Sequence, residues 1–89
     1  MDLGTRLSVP AQVMSRRVGD ETVLLDIESG LYFGVDRVGQ RIWELAGSGR
    51  TLGDIVEAIV AEFEVERPQA EADVMSFVAT LVGRGLLAE

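Results

Sequence analysis

Acid–base chemistry in this sequence would have to rest on carboxylates and hydroxyls, because fifteen Asp and Glu residues are present and no His or Cys. Two carboxylates sharing a pocket can be driven to different pKa values and so divide the roles of acid and base. Their placement argues against that use. Asp54, Glu57 and Glu62 fall opposite an apolar helical stripe and most other acids fall in turns, which is the distribution of a solvated face. The missing thiols and imidazoles remove the common nucleophiles and zinc ligand sets. No D-x-D-x-D-G calcium loop occurs. The ten glycines are scattered among turns and caps and build neither a G-x-G-x-x-G phosphate cradle nor a P-loop. The chain therefore reads as a binding module and not an enzyme, with no metal site and no cofactor implied.

The elements that would present a binding surface follow from periodicity. Eighty-nine residues leave room for a single domain over residues 1–89, burying roughly 60 to 65% of the surface its unfolded form exposes. Residues 1–10 have no clear period and read as an arm whose packing the sequence leaves open. Residues 12–18 are compatible with a strand, and Gly19-Asp20 is a hairpin dipeptide. Residues 22–27 alternate, with Val23, Leu25 and Ile27 on one face and Asp26 on the other, although Leu24 on that second face is also apolar. A third strand runs through Leu31-Tyr32-Phe33-Gly34-Val35. A three-residue loop with Gly30 left-handed would pair Ile27 with Leu31, Leu25 with Phe33 and Val23 with Val35, placing six apolar side chains on one face. Tyr32 and Gly34 then look outward.

Three helices complete the order. Asp36 is suited to cap a helix over residues 37–46, with Val38, Ile42 and Leu45 at helical spacing, Trp43 flanking them and Gly47 as the stop. Thr51 and Asp54 resemble a capping box ahead of Leu52, Ile55, Val56, Ile59, Val60 and Phe63, an unbroken amphipathic series. Pro68 opens a third helix carrying Ala70, Val74, Phe77, Val78, Leu81 and Val82 and ending near Gly83, after which Leu86 and Leu87 fold back onto the core. The expected fold class is α+β: a three-stranded antiparallel meander followed by three helices, winged-helix-like, with the helices on one sheet face.

That order also describes winged helix-turn-helix DNA-binding proteins, and charge separates the two readings. The formal net charge is −7, and the middle helix shows Asp54, Glu57 and Glu62 with no basic residue. A recognition helix of that sign is repelled by phosphates, so nucleic acid is not an expected partner. No apolar run approaches the roughly 20 residues needed to cross a bilayer, and residues 1–10 lack a signal-peptide pattern. No membrane partner is expected, and the cytoplasm is the expected location. What remains is an edge: the third strand has no proline and no inward charge, so its unpaired backbone groups could take an extended peptide as a fourth strand.

The run Gly30-Leu31-Tyr32-Phe33-Gly34-Val35-Asp36, then Val38-Gly39, then Ile42-Trp43-Glu44-Leu45, resembles PqqD-like proteins, in which a G-x-Y-x-x-L-N strand leads to a T-G-x-x-I-W helix. Val35 and Asp36 stand here for Leu and Asn, and Val38 for Thr. Thr51-Leu52 with Ile55, Phe63 before Val65, and Asp73-Val74, Phe77-Val78, Leu81 and Gly85-Leu86-Leu87 extend the resemblance over residues 23–87. It implies a RiPP recognition element, a domain that binds the leader of a ribosomally made precursor peptide and presents it to processing enzymes. The resemblance further implies a leader held as an added strand along Leu31, Tyr32, Phe33, Gly34, Val35 and Asp36, walled by Asp73, Val74, Phe77, Val78 and Leu81 of the third helix. The V-L-L-D-x-x-S-G-x-Y-F run beginning at Val23 looks most like the stand-alone split B proteins of lasso-peptide biosynthesis. These work with a separate, transglutaminase-like cysteine leader peptidase. PqqD proteins that serve a radical SAM maturation enzyme as peptide chaperones are the alternative.

Overall fold

A computed structural model of the chain describes residues Met1–Glu89. Gly19, with φ +63°, opens a two-residue turn that sets Val18 opposite Glu21, so strands β1 (Val13–Val18) and β2 (Glu21–Asp26) form a tight hairpin. Glycine at the first central position suits such a turn because its backbone twist matches that of the flanking strands. β2 also pairs antiparallel with β3 (Tyr32–Val35), giving one sheet in the order β1-β2-β3. Helices α1 (Arg37–Gly47), α2 (Leu52–Phe63) and α3 (Arg67–Gly83) follow, and the α+β meander-then-helices order expected from the sequence is the order observed.

The register between β2 and β3 differs by one residue from the sequence expectation. Leu24 faces Phe33, Leu25 faces Tyr32, Val23 faces Gly34 and Thr22 faces Val35. The loop is residues 27–30, one longer than expected, because the Asp26 carboxylate accepts hydrogen bonds from the backbone N–H groups of Glu28 (2.9 Å) and Ser29 (3.2 Å). Aspartate readily closes such a side-chain turn. Gly30 does adopt the left-handed conformation, at φ +77°. With a side-chain period of two, the shift exchanges the faces of β2. Thr22, Leu24 and Asp26 turn inward, Leu24 with no exposed surface, while Val23 and Leu25 turn to the outer face and Ile27 is 62% exposed. Buried Thr22 satisfies its hydroxyl by donating to Gln40 Oε1 of α1 at 2.8 Å.

The helix ends follow local chemistry. Asp36 caps α1 through the N–H of Gly39 at 2.8 Å. That helix runs one residue past its expected last position, 46: Gly47 is helical, and the left-handed turn falls at Gly49, φ +79°. The N–H groups of Gly49 and Arg50 then reach Ala46 and Leu45 carbonyls, a two-bond closure typical of helix C-termini. Thr51 and Asp54 form the reciprocal capping box of α2, and the Asp54 carboxyl lies below its ordinary value because the Thr51 backbone N–H, then its hydroxyl, bonds the charged form. α3 carries Pro68 in its first turn and closes through Gly85.

The core joins Leu24 and Val35 of the sheet to Ile42 and Leu45 of α1, Leu52, Ile55, Val56 and Ile59 of α2, and Ala70, Val74, Val78 and Leu81 of α3, with Leu86 and Leu87 folded back as expected. Residues 1–10 pack. Leu7 enters the core, Ser8 and Ala88 exchange two backbone hydrogen bonds (2.8 and 2.9 Å), and the carbonyls of Thr5 and Leu3 accept from Leu52 and Gly53. The arm thus satisfies first-turn N–H groups of α2 that no intrahelical carbonyl can reach.

Candidate functional site

β3 is an edge strand, and the N-terminal arm lies elsewhere, with β-bridges from Arg6 to Thr51 and from Ser8 to Ala88. Which backbone groups the edge presents follows from the ladder. The Asp26 N–H donates to the Leu31 carbonyl at 2.9 Å, which makes that a hydrogen-bonded pair. Hydrogen-bonded and non-bonded pairs alternate along antiparallel strands. Phe33 and Val35 therefore spend their N–H and C=O groups on β2, whereas Tyr32 and Gly34 direct theirs to the open edge. Side chains alternate in the same rhythm: Phe33 and Val35 point inward, Tyr32 is 72% exposed on the outer face, and a Cβ built at Gly34 would meet nothing within 4 Å.

Alongside this edge runs a groove of about 410 Å³ between β3, α1 and α3. Phe33, Val38, Ile42 and Phe77 supply its apolar lining, Gly39 adds bare backbone, and Asp36, Asp73, Ser76 and Thr80 its polar rim. Each element contributes by its period. On α3, Asp73, Ser76, Phe77 and Thr80 are spaced three and four apart and share the face toward β3. The Arg84 guanidinium, just past the end of α3, lies 5.0 Å over the Phe33 ring, within cation–π range.

The structure brings together only part of the expected site. Phe33, Gly34, Val35 and Asp36 on the strand side and Asp73 and Phe77 on the helix side border the groove or its open edge, while Tyr32 reaches it through backbone alone. Leu31 is half-buried at the strand's start. Val74, Val78 and Leu81 have no exposed surface and belong to the core beneath the groove. Helical spacing could not separate them from Phe77, because all four are apolar and each of the three lies within four residues of it. Ser76 and Thr80, also on the rim, carry no signal in the sequence, since small hydroxyl residues on a helix read as solvated surface. Val38 and Ile42, at helical spacing on α1, reach the groove floor while Ile42 also belongs to the core.

A second concavity, about 920 Å³, opens past Asp36 and includes Arg17, Glu21, Gln40, Arg41, Glu44 and Glu62, with Val35 and Phe63 its only apolar members. Arg41 and Glu62 are joined there by two hydrogen bonds of 2.8 and 3.0 Å, and the Arg41 guanidinium is held above its ordinary pKa chiefly by that bond. Most of its lining is charged or polar, whereas four of the nine residues lining the smaller groove are apolar, so the smaller groove is the better receptor for hydrophobic side chains. The outer sheet face is a third feature: Met14, Leu25 and Tyr32 form one row and Val18 lies on the same face, with Met14, Val18 and Tyr32 all exposed. No three His, Cys, Asp or Glu side chains converge on a metal-sized site, and no helix is long and apolar enough to cross a membrane.

Comparison with known proteins gives three results. A family model described as coenzyme PQQ synthesis protein D (PqqD) matches residues 21–87. A solved structure of TbiB1 in complex with the TbiA(beta) leader peptide is 42% identical over 90% of this chain and 93% of that one, with a TM-score of 0.80. A lasso peptide synthetase B1 complexed with the leader peptide is 25% identical over 96% of this chain and 100% of that one, with a TM-score of 0.86. No curated protein sequence matches.

Proposed function

This chain belongs to the PqqD family, and from that premise we propose that it captures the leader segment of a ribosomally made precursor in lasso-peptide biosynthesis and presents it for processing. One observation carries the reading: an unpaired β3 edge opens directly onto an apolar groove. The leader adds as a fourth strand, exchanging hydrogen bonds with Tyr32 and Gly34 and setting alternate side chains between Phe33 and Phe77. Each backbone hydrogen bond contributes only about 0.5 to 1.5 kcal/mol net. Each apolar side chain fully buried contributes about 1.5 to 3 kcal/mol, so the groove supplies most of the affinity and the selectivity.

The chain itself does no chemistry in this reading. Its histidine-free and cysteine-free sequence suits a carrier, and the bond cleavage falls to a separate cysteine leader peptidase. That enzyme must approach from a side the leader leaves free. The outer sheet face, with exposed Met14, Val18 and Tyr32, offers apolar area for such contact on the surface opposite the helices.

The test is titration of a labelled TbiA(beta) leader peptide against the chain and its Phe77→Asp variant. Saturable binding is expected for the wild type, weakened more than about tenfold by the variant, which removes an apolar wall and sets a charge in its place. A thermal melt verifies that the variant folds. No binding by the folded wild-type chain would overturn the proposal.

A further inference from the structure

Gly39 occupies the first turn of α1 with negative φ, so no unusual backbone conformation calls for glycine there. Glycine weakens a helix relative to alanine. The compensation is spatial. A Cβ at this position would lie 2.9 Å from Phe77 Cζ and 3.1 Å from Phe77 Cε1, with Val35 Cβ at 3.2 Å on another side. Carbon atoms in good contact sit about 3.5 to 4.0 Å apart, so the Phe77 ring rests directly on the bare backbone of α1.

The two neighbours differ in their freedom to move. Val35 is buried, and its main chain is committed to the ladder with Thr22. The Phe77 ring is half-buried and borders the open groove. A side chain at residue 39 therefore presses hardest on the ring, with Val35 having to give only by tenths of an ångström, and the groove is where the ring has room to go.

We propose that Gly39 sets the capacity of the leader groove: its missing side chain is the seat into which Phe77 withdraws, and that withdrawal keeps space open for an apolar leader side chain. The inference rests on the groove being the leader site, but the ring's position can be read without any ligand. Gly39 acts through Phe77 and is a positioning residue.

The experiment is Gly39→Ala, alone and combined with Phe77→Leu, which deletes the two ring atoms nearest the new methyl. Nuclear Overhauser contacts of residue 39 with the Phe77 ring report the packing, and titration with the TbiA(beta) leader peptide reports the groove. In Gly39→Ala the ring is expected to move away from α1, with leader affinity reduced about tenfold or more and a melting temperature close to wild type. Phe77→Leu in the same chain should recover much of that affinity, an outcome that a general loss of stability would not produce. An unmoved ring with unchanged affinity overturns the proposal, as does a loss that Phe77→Leu does not repair. If the wild-type chain binds no peptide, the leader reading fails by itself, and the ring position in Gly39→Ala still decides whether Gly39 is the seat.

Discussion

Replacing Gly34 with proline removes one N–H and adds a ring at the edge where the leader strand is proposed to pair. The alternation set by the Asp26–Leu31 bond directs the Gly34 N–H away from β2, so the native ladder loses nothing. Proline is tolerated on an edge strand when its nitrogen faces outward. In the complex the consequence is different. A leader carbonyl is left without its donor in a desolvated strand pair, at about 1 to 3 kcal/mol. At about 1.4 kcal/mol per tenfold, this is a loss of roughly 5- to 150-fold in affinity. Gly34→Ala is the control: it keeps the N–H, and its Cβ meets nothing within 4 Å, so binding should stay within about twofold of wild type. Fluorescence anisotropy with a labelled leader peptide measures both, and thermal melts confirm the fold. Wild-type affinity in a well-folded Gly34→Pro chain would refute strand addition at this edge. Equal losses in both variants would show that occlusion, and not the hydrogen bond, is responsible.

Two further outcomes test the fold that positions the groove. Leu24→Ala should cost about 2 to 5 kcal/mol of stability and half-buried Leu25→Ala distinctly less, measured by denaturant unfolding, because Leu24 and not Leu25 faces the helices; the reverse ranking would contradict the register. Asp54, held below its ordinary 3.8 by hydrogen bonds from Thr51, contributes stability that is complete above that value and is lost as pH falls below it toward the folded-state pKa. Asp54→Asn should therefore flatten the acid limb of the stability–pH profile, and an unchanged limb would show the capping box to be silent.

Much of this architecture is written locally. The capping box at Thr51, the Gly19 hairpin, the amphipathic series of α2 and the return of Leu86 and Leu87 need only nearest neighbours along the chain, and each appears where the residues predict. That β3 is the last strand of the meander was also legible, since helical spacing takes over after Val35. Register was not. Leu24, Leu25 and Ile27 are all apolar, so hydrophobic alternation tolerates either face of β2, and the choice falls to a carboxylate at Asp26 that closes a longer loop.

The sequence by itself determined the elements and their order, because capping, turn and periodicity rules act over a few residues. Only the tertiary structure decided which side of α3 is wall and which is core, how residues 1–10 are anchored, and that Phe77 lies against Gly39. Those facts depend on how helices and strand approach one another in space, and residues 38 positions apart carry no local signal of contact.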